Sequence, residues 1–237
     1  MTVADRLVVI AGATSASGLA ATRELWRAGA RVVAVGHDPG KLKELLNAAD
    51  ADAGPIDAGA SGSLRTEVCD LTDEADVGAL AARIHDAEGA VDGVLHLVGA
   101  WRGGGGFAGQ TDEDYRFLAR SLTALRHVSR AFDADLRASS SARTAIVSST
   151  AVARPLAGGA NYAAVKAASE AWARAQAQGF AKAAEDSGAP LAAASVIFRV
   201  KSLSGLEDAL AQRFAGLWLT DAAELNDTIV DLTDPSL

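Results

Sequence analysis

The sequence predicts a three-layer α/β fold: a doubly wound parallel sheet of about six strands, helices on both faces, in a single domain over residues 1–237. Three observations predict it. Short, continuous Val/Ile/Leu/Ala runs recur along the chain, and runs apolar on both faces belong to buried parallel strands. Segments with apolar residues at helical spacing separate them. No internal repeat or linker divides the 237 residues, a length that suits one α/β domain.

Taken in order, the first run is Leu7 to Ala11, closed by Gly12, and residues 17–28 form the first helix, closed by Gly29. Residues 31–35 are the second strand and 41–49 a short helix. Residues 50–63 are small and turn-rich and read as a surface loop. Val68 marks the third strand, with Cys69 at its buried end. Thr72 is placed to cap the helix over 73–88. Residues 91–98 are the fourth strand, followed by a glycine-dense loop over 99–109 and a long helix over 111–136. The fifth strand is 145–148, a long Ala-rich helix spans 160–185, and the sixth strand is 191–198. Two short helices then complete the chain, leaving no evident final strand.

Composition narrows the function classes. With 30 acidic and 22 basic residues the net charge is −8, which disfavours nucleic acid as a partner. No Lys/Arg-rich run suggests a membrane surface, and no apolar stretch approaches the length of a membrane span. The expected location is the cytoplasm. Cys69 is the single cysteine, which excludes an internal disulfide and a cysteine-based zinc site, and it reads as a small core residue. His85 and His127 lie on helices with no second ligand at metal spacing, so no metal is expected. Trp26, Trp172 and Trp218 fall at helical positions and read as packing residues.

The nucleotide end is the stretch from Ala11 to Gly18, where a strand opens into a helix. Gly12 supplies the positive φ of a tight turn, and Gly18 permits close helix–sheet packing. Amides at the helix start are aimed where a pyrophosphate binds, which is the signature of a Rossmann fold. Thr14, Ser15 and Ser17 add hydroxyls around Ala16. The second strand ends at Gly36 rather than at a carboxylate, which leaves room for a 2′-phosphate that His37 can face. The cofactor reading is therefore NADP or NAD with a lean to NADP, against which Asp38 argues mildly. Asp70 is either an acceptor for an adenine amino group or an ordinary cap.

At the other end, Tyr162 follows Ser149 by thirteen residues and Lys166 lies four beyond Tyr162, on the same helical face. A lysine in that place stabilises tyrosinate and makes the phenol a usable acid or base. Ser149 is placed to hold a substrate carbonyl oxygen.

On Gly12, Gly18, Asp70-Leu71, Val98-Gly99, Ser149 and the run from Asn161 to Lys166, the sequence resembles the short-chain dehydrogenase/reductase family over nearly its whole length. The resemblance implies hydride transfer between a nicotinamide and a carbonyl, hydroxyl or imine carbon. Tyr162 would then exchange the proton and Lys166 would also bind the nicotinamide ribose. Residues 91–104 are most similar to the dihydropteridine-reductase-like branch. Trp101 there either stacks on a flat substrate ring or anchors its loop, and Gly103 to Gly106 form either a lid or an exposed loop. Several positions depart from the family pattern. Ala16 replaces the middle glycine of the opening motif, and His96 replaces the first asparagine after the fourth strand. Ser121 aligns with the long-helix asparagine of a proton relay, and Phe198-Arg199 stand where Pro-Gly is usual. These departures leave an alternative: a catalytically weak, nucleotide-binding regulatory protein. Family members often dimerise through two long helices, and the Ala-rich helix around Ala163, Ala164, Ala167 and Ala168 suits a homodimer or homotetramer.

Overall fold

A computed structural model describes residues 2–51 and 62–233. The strands are β1 (Leu7–Ala11), β2 (Arg31–Gly36), β3 (Ser63–Val68), β4 (Gly93–His96), β5 (Arg143–Ser149), β6 (Ala194–Val200) and β7 (Thr228–Asp231). The helices are α1 (Ala16–Arg27), α2 (Pro39–Ala51), α3 (Glu74–Glu88), α4 (Asp112–Ala131), α5 (Asp133–Ala138), α6 (Ala160–Ser187), α7 (Glu207–Gly216) and α8 (Ala222–Leu225). All seven strands are parallel in the order β3-β2-β1-β4-β5-β6-β7. The order reverses direction between β1 and β4, and a crevice opens there at the carboxyl edge.

Alternation along the strands explains the two helical layers. Val8, Ile10, Val32, Ala34, Leu95, Val196 and Phe198 face one way and pack against Leu25 of α1 and Leu210 and Phe214 of α7. Leu7, Val9, Val33 and Val94 face the other way, against Leu80 and Ile84 of α3 and Val128 of α4. Ile146 and Ile197 continue that second face beneath Leu125 of α4 and Ala173 of α6. Both faces are covered, so the strands are apolar throughout rather than alternating. Trp218 is fully buried with its ring against Gly93, Trp172 donates to Ser129 Oγ (2.8 Å), and Trp26 donates to Gly62 (3.3 Å), so all three are packing residues.

The expected sheet lacked its last strand, and the structure corrects this. β7 is only four residues long, too short to stand out as an apolar run. It is placed by its flank: Asn226 accepts from the Ser195 amide (3.1 Å) and donates to Ala177 (2.9 Å), and Asp227 turns the chain at φ +64°. Asp73, not Thr72, caps α3, because its carboxylate accepts from the Ala75 and Asp76 amides. The helix expected over 111–136 breaks at Phe132, whose backbone leaves the helical region while its ring is fully buried. β3 is half-exposed because it is an edge strand with one neighbour, while Cys69 just beyond it is 1% exposed. β6 runs on to Val200, so Phe198 and Arg199 are strand residues rather than a turn. Most of the expected loop over 50–63 lies outside the described residues. Among those residues, no helix is long and apolar enough to cross a membrane.

Gly18 shows how tightly the first turn is built, since a Cβ there would lie 2.0 Å from the Ala13 carbonyl oxygen. Gly18→Ala is therefore expected to lower stability by about 3 kcal/mol in urea unfolding. Gly78, on the exposed face of α3 with nothing near its Cβ position, is the control. Gly78→Ala should stabilise by up to about 1 kcal/mol.

Candidate active site

The carboxyl edge of the sheet opens into a cavity of about 1110 Å³ that extends from Ser15 and Ser17 at the first turn to Ser149, Tyr162 and Lys166. At the first turn Gly12 has φ +87°, and a Cβ on it would meet the Val98 amide nitrogen at 2.9 Å. Only glycine fits there. Ser15 Oγ accepts from the Gly18 amide (3.1 Å) and caps α1, which leaves its own proton free to donate into the cavity. Ala16 is exposed at the start of α1. Val98 and Gly99 line the cavity above Lys166.

Around the tip of β2, the Thr14 methyl would lie 2.8 Å from a Cβ on Gly36, so the two shape that end together. His37 is exposed there. The Asp38 carboxylate is already engaged, accepting from the Gly40 (2.9 Å) and Lys41 (3.1 Å) amides at the start of α2, and those bonds hold its pKa below the usual value. Asp70 accepts from the amide and hydroxyl of Thr72, with Arg120 4.0 Å away, so it caps its own turn and remains exposed. Leu71 is buried in the core beside α3, and its side chain takes no part in the cavity.

At the chemical end, Tyr162 and Ser149 line the same cavity, and Lys166 Nζ donates to the Val147 carbonyl (2.8 Å), lying 5.8 Å from the Tyr162 ring centre. Burial raises the Tyr162 pKa above 10.0, opposed by the smaller effect of the neighbouring Ser149 hydroxyl. Burial also pushes Lys166 down to about 8, opposed by Glu170. With desolvation the largest influence, the phenol keeps its proton at neutral pH.

The first turn of α6 has no side-chain cap of its own. Gln110 supplies one: its Oε1 accepts from the Asn161 amide (3.1 Å), and its Nε2 donates to Gly158 (3.0 Å) and Gly104 (3.2 Å). Asn161 in turn donates to the Thr111 carbonyl (3.0 Å). The loop over Gly103 to Gly106 is thereby tied to the segment before α6, and a Cβ on Gly103 would strike the Gly158 oxygen at 2.4 Å. Trp101 is 66% exposed on the cavity wall, where its indole is open to a ligand.

Ser121 is not brought to the cavity. Its hydroxyl donates to Leu118 (2.8 Å), and its carbonyl accepts from His96 Nε2 (3.2 Å). A carbonyl only accepts, so His96 carries its proton on Nε2 and leaves Nδ1 buried without a partner. Sequence reasoning flagged His96 and Arg199 as departures and missed what they do. Arg199 donates twice to the buried Glu170 carboxylate (3.1 and 2.7 Å), which also accepts from Ser148 Oγ (2.6 Å). The signal was present in the spacing, since Tyr162, Lys166 and Glu170 recur every four residues on one face of α6. Among the described residues no cluster suits a metal ion. Cys69 is a poor nucleophile, because burial, followed by Asp76, pushes its thiol up to about 12.

The family model of the short chain dehydrogenases matches residues 6–184, three quarters of the chain, including both ends of this cavity. The chain belongs to that family. Solved structures of similar proteins agree on the fold. A metagenomic short-chain oxidoreductase in complex with NADP is 22% identical with a TM-score of 0.81, covering 98% of this chain and 97% of that one. A short-chain dehydrogenase/reductase from Mycobacterium ulcerans is 18% identical with a TM-score of 0.82, covering 98% and 89%. An NADH-dependent reductase complexed with NAD is 19% identical with a TM-score of 0.77, covering 97% and 95%. No curated protein matches the sequence itself.

Burial pushes His96 down to about 3 from 6.5, with Lys166 adding to the shift. Between those values the unfolded chain holds the extra proton, so this contribution to stability is complete above pH 6.5 and is lost as pH falls toward 3. The slope from this one group is at most about 1.4 kcal/mol per pH unit. Urea unfolding of His96→Asn, whose amide keeps a donor but does not titrate, should be correspondingly flatter with pH than wild type. Identical slopes would place the charge change elsewhere.

Proposed function

We propose that this short-chain dehydrogenase is an NAD(P)-dependent oxidoreductase that reduces a small carbonyl or cyclic imine, with Tyr162 as the proton donor. One observation carries the reading: Ser149, Tyr162 and Lys166 meet in the same cavity that begins at the Gly12 turn.

The residues present fit a dinucleotide. Gly12 lets the turn close against the Val98 backbone, the start of α1 offers its amides and the Ser15 and Ser17 hydroxyls to the cavity, and β2 ends at Gly36 rather than at a carboxylate. The engaged carboxylate of Asp38 and the exposed ring of His37 favour NADP there, in keeping with the NADP held by the metagenomic relative. The bound nicotinamide would supply or accept the hydride.

Ser149 orients the substrate oxygen, and the raised pKa of Tyr162 keeps its proton available to that oxygen. Lys166, held by Val147, places a positive charge beside the oxygen as it becomes an alkoxide or alcohol. Trp101 offers a flat face to a ring-shaped substrate, as in the dihydropteridine-reductase-like reading. The exposed small face of α6, with Ala164, Ala167, Ala168 and Ala171, is the contact we assign to a homodimer. A dimer mass by light scattering at micromolar concentration is expected there, and a monomer would remove that assignment.

Fluorescence titration with NADPH and NADH should show binding of at least one, NADPH the tighter. In a reductase assay Tyr162→Phe should lower kcat by about 10²- to 10⁴-fold with binding of nucleotide retained. The reductive kcat/KM should fall as pH rises through about 8, where Lys166 loses its proton. Unchanged turnover in Tyr162→Phe would remove Tyr162 from the chemistry. Nucleotide binding with no turnover of any carbonyl would favour the regulatory alternative.

A further inference from the structure

The charge of the cavity runs against that of the chain. The protein carries 30 acidic and 22 basic residues, yet the cavity is lined by Lys166, Arg154 and Lys201 and, among the described residues, by no Asp or Glu. Most surface arginines in this chain sit within 4.0 Å of a carboxylate, as Arg83 does with Glu67, Arg130 with Glu74 and Arg137 with Asp133. Among the described residues Arg154 and Lys201 make no ion pair, although both are exposed at the cavity and free to take up an acid.

Their place along the sheet separates them from the phosphate-binding turn. That turn follows β1, the chemistry sits at the end of β5, and Lys201 follows Val200, which pairs with Ser149 in the β5–β6 register. At about 4.8 Å per strand, β6 lies three strands or about 14 Å from β1. Arg154 is five residues beyond Ser149, on the segment leading to α6. Lys201 thus follows the strand on the far side of β5 from the turn, and Arg154 lies on the segment that leaves β5. The lining they share includes the apolar Trp101, Ala151, Leu156 and Leu203. Leu156 is 74% exposed, an apolar surface with little of the protein to cover it.

We propose that the substrate is a carbonyl compound with an apolar body and a carboxylate, and that Arg154 and Lys201 hold that carboxylate while Ser149 and Tyr162 hold the carbonyl oxygen. A guanidinium fork and an ammonium beside an apolar wall match a carboxylate on a hydrocarbon frame. This rests on the oxidoreductase reading for its chemistry. The carbonyl carbon gains a hydride from the reduced nicotinamide, its oxygen gains the Tyr162 proton, and the C=O π bond is lost. The products are an alcohol, the oxidised nicotinamide and a Tyr162 phenolate, which takes a proton back from water.

Matched aldehydes that differ only in a carboxylate for a methyl group test the assignment: 4-formylbenzoate against 4-methylbenzaldehyde, and 5-oxopentanoate against pentanal. Calorimetric binding is measured in the protein alone and saturated with NADP, and turnover with NADPH. For at least one pair the carboxylate member should bind about tenfold or more tightly, with a matching gain in kcat/KM carried by KM. Added salt should shrink that gain. Arg154→Met with Lys201→Met should bring the pair to parity while the NADPH dissociation constant stays as in wild type. Equal binding of both members of both pairs in wild type would overturn the proposal. So would a carboxylate preference that survives the double substitution, or a weakened NADPH affinity in its place. A carboxylate preference in binding without turnover would count against the oxidoreductase reading and leave this assignment standing.

Discussion

The Glu170 carboxylate is the point on which the chemical end of the cavity depends. A buried carboxylate is tolerated only when its charge and lone pairs are satisfied, and removing one partner leaves the full desolvation penalty. Here Arg199 and Ser148 are direct neighbours in the β5–β6 register, so their side chains share the sheet face covered by α6 and converge on Glu170. That junction fixes where α6 sits along the strands. Lys166, one turn earlier, adds a second tie through the Val147 carbonyl. With α6 held at two successive turns, Tyr162 one turn further on arrives beside Ser149 at the end of β5. The arginine in place of a small residue on β6 thus belongs to the machinery that sets the site's geometry.

Desolvation then tunes the groups that this geometry assembles, and it moves acids and bases in opposite directions. Tyr162 is raised and Lys166 and His96 are lowered by the same cause. A neutral His96 suits a position next to the Lys166 ammonium, since a second positive charge there would disfavour both. Its single proton goes to the Ser121 carbonyl on α4, so the histidine joins α4 to β4 behind the lysine. The hydroxyl of Ser121 is spent on its own helix, so the polar group beside Lys166 is His96 of β4 and not the Ser121 side chain.

The two ends of the cavity were legible in the sequence because each depends on local pattern. Gly12 and Gly18 answer to a turn and a close approach within seven residues, and Tyr162 and Lys166 to one helical turn. Six of the seven strands were legible as apolar runs; β7 was not, because its four residues, held by Asn226 and Asp227, carry too little apolar content to register. What remained hidden depends on contacts between distant segments. Gln110 gives no sign in its own neighbourhood that it caps a helix beginning fifty residues later, and Glu170 reads as a surface charge until Arg199 is seen beside it. Asp38 illustrates the reverse case. Its type and place argue mildly against NADP, and only the amides of Gly40 and Lys41 reveal a helix cap.

The order of strands also sets the order of functions along the carboxyl edge. His37 and Asp70 stand beyond β2 and β3, the Gly12 turn follows β1, Val98 and Gly99 follow β4, Ser149 ends β5, and Lys201 follows β6. A ligand laid along this edge meets, in turn, the exposed His37, the amides and hydroxyls at the start of α1, the Ser149 and Tyr162 hydroxyls, and Lys201. The loop over Gly103 to Gly106 closes one wall of that path. It is joined through Gln110 to the segment that carries Arg154 and to the first turn of α6. A shift of that loop would therefore pull on Gln110, whose side-chain oxygen accepts from the Asn161 amide one residue before Tyr162. That coupling gives the glycines of the loop a role that depends on their packing as well as their flexibility: Gly103 lies too close to Gly158 for a side chain, and the contact transmits the position of one segment to the other.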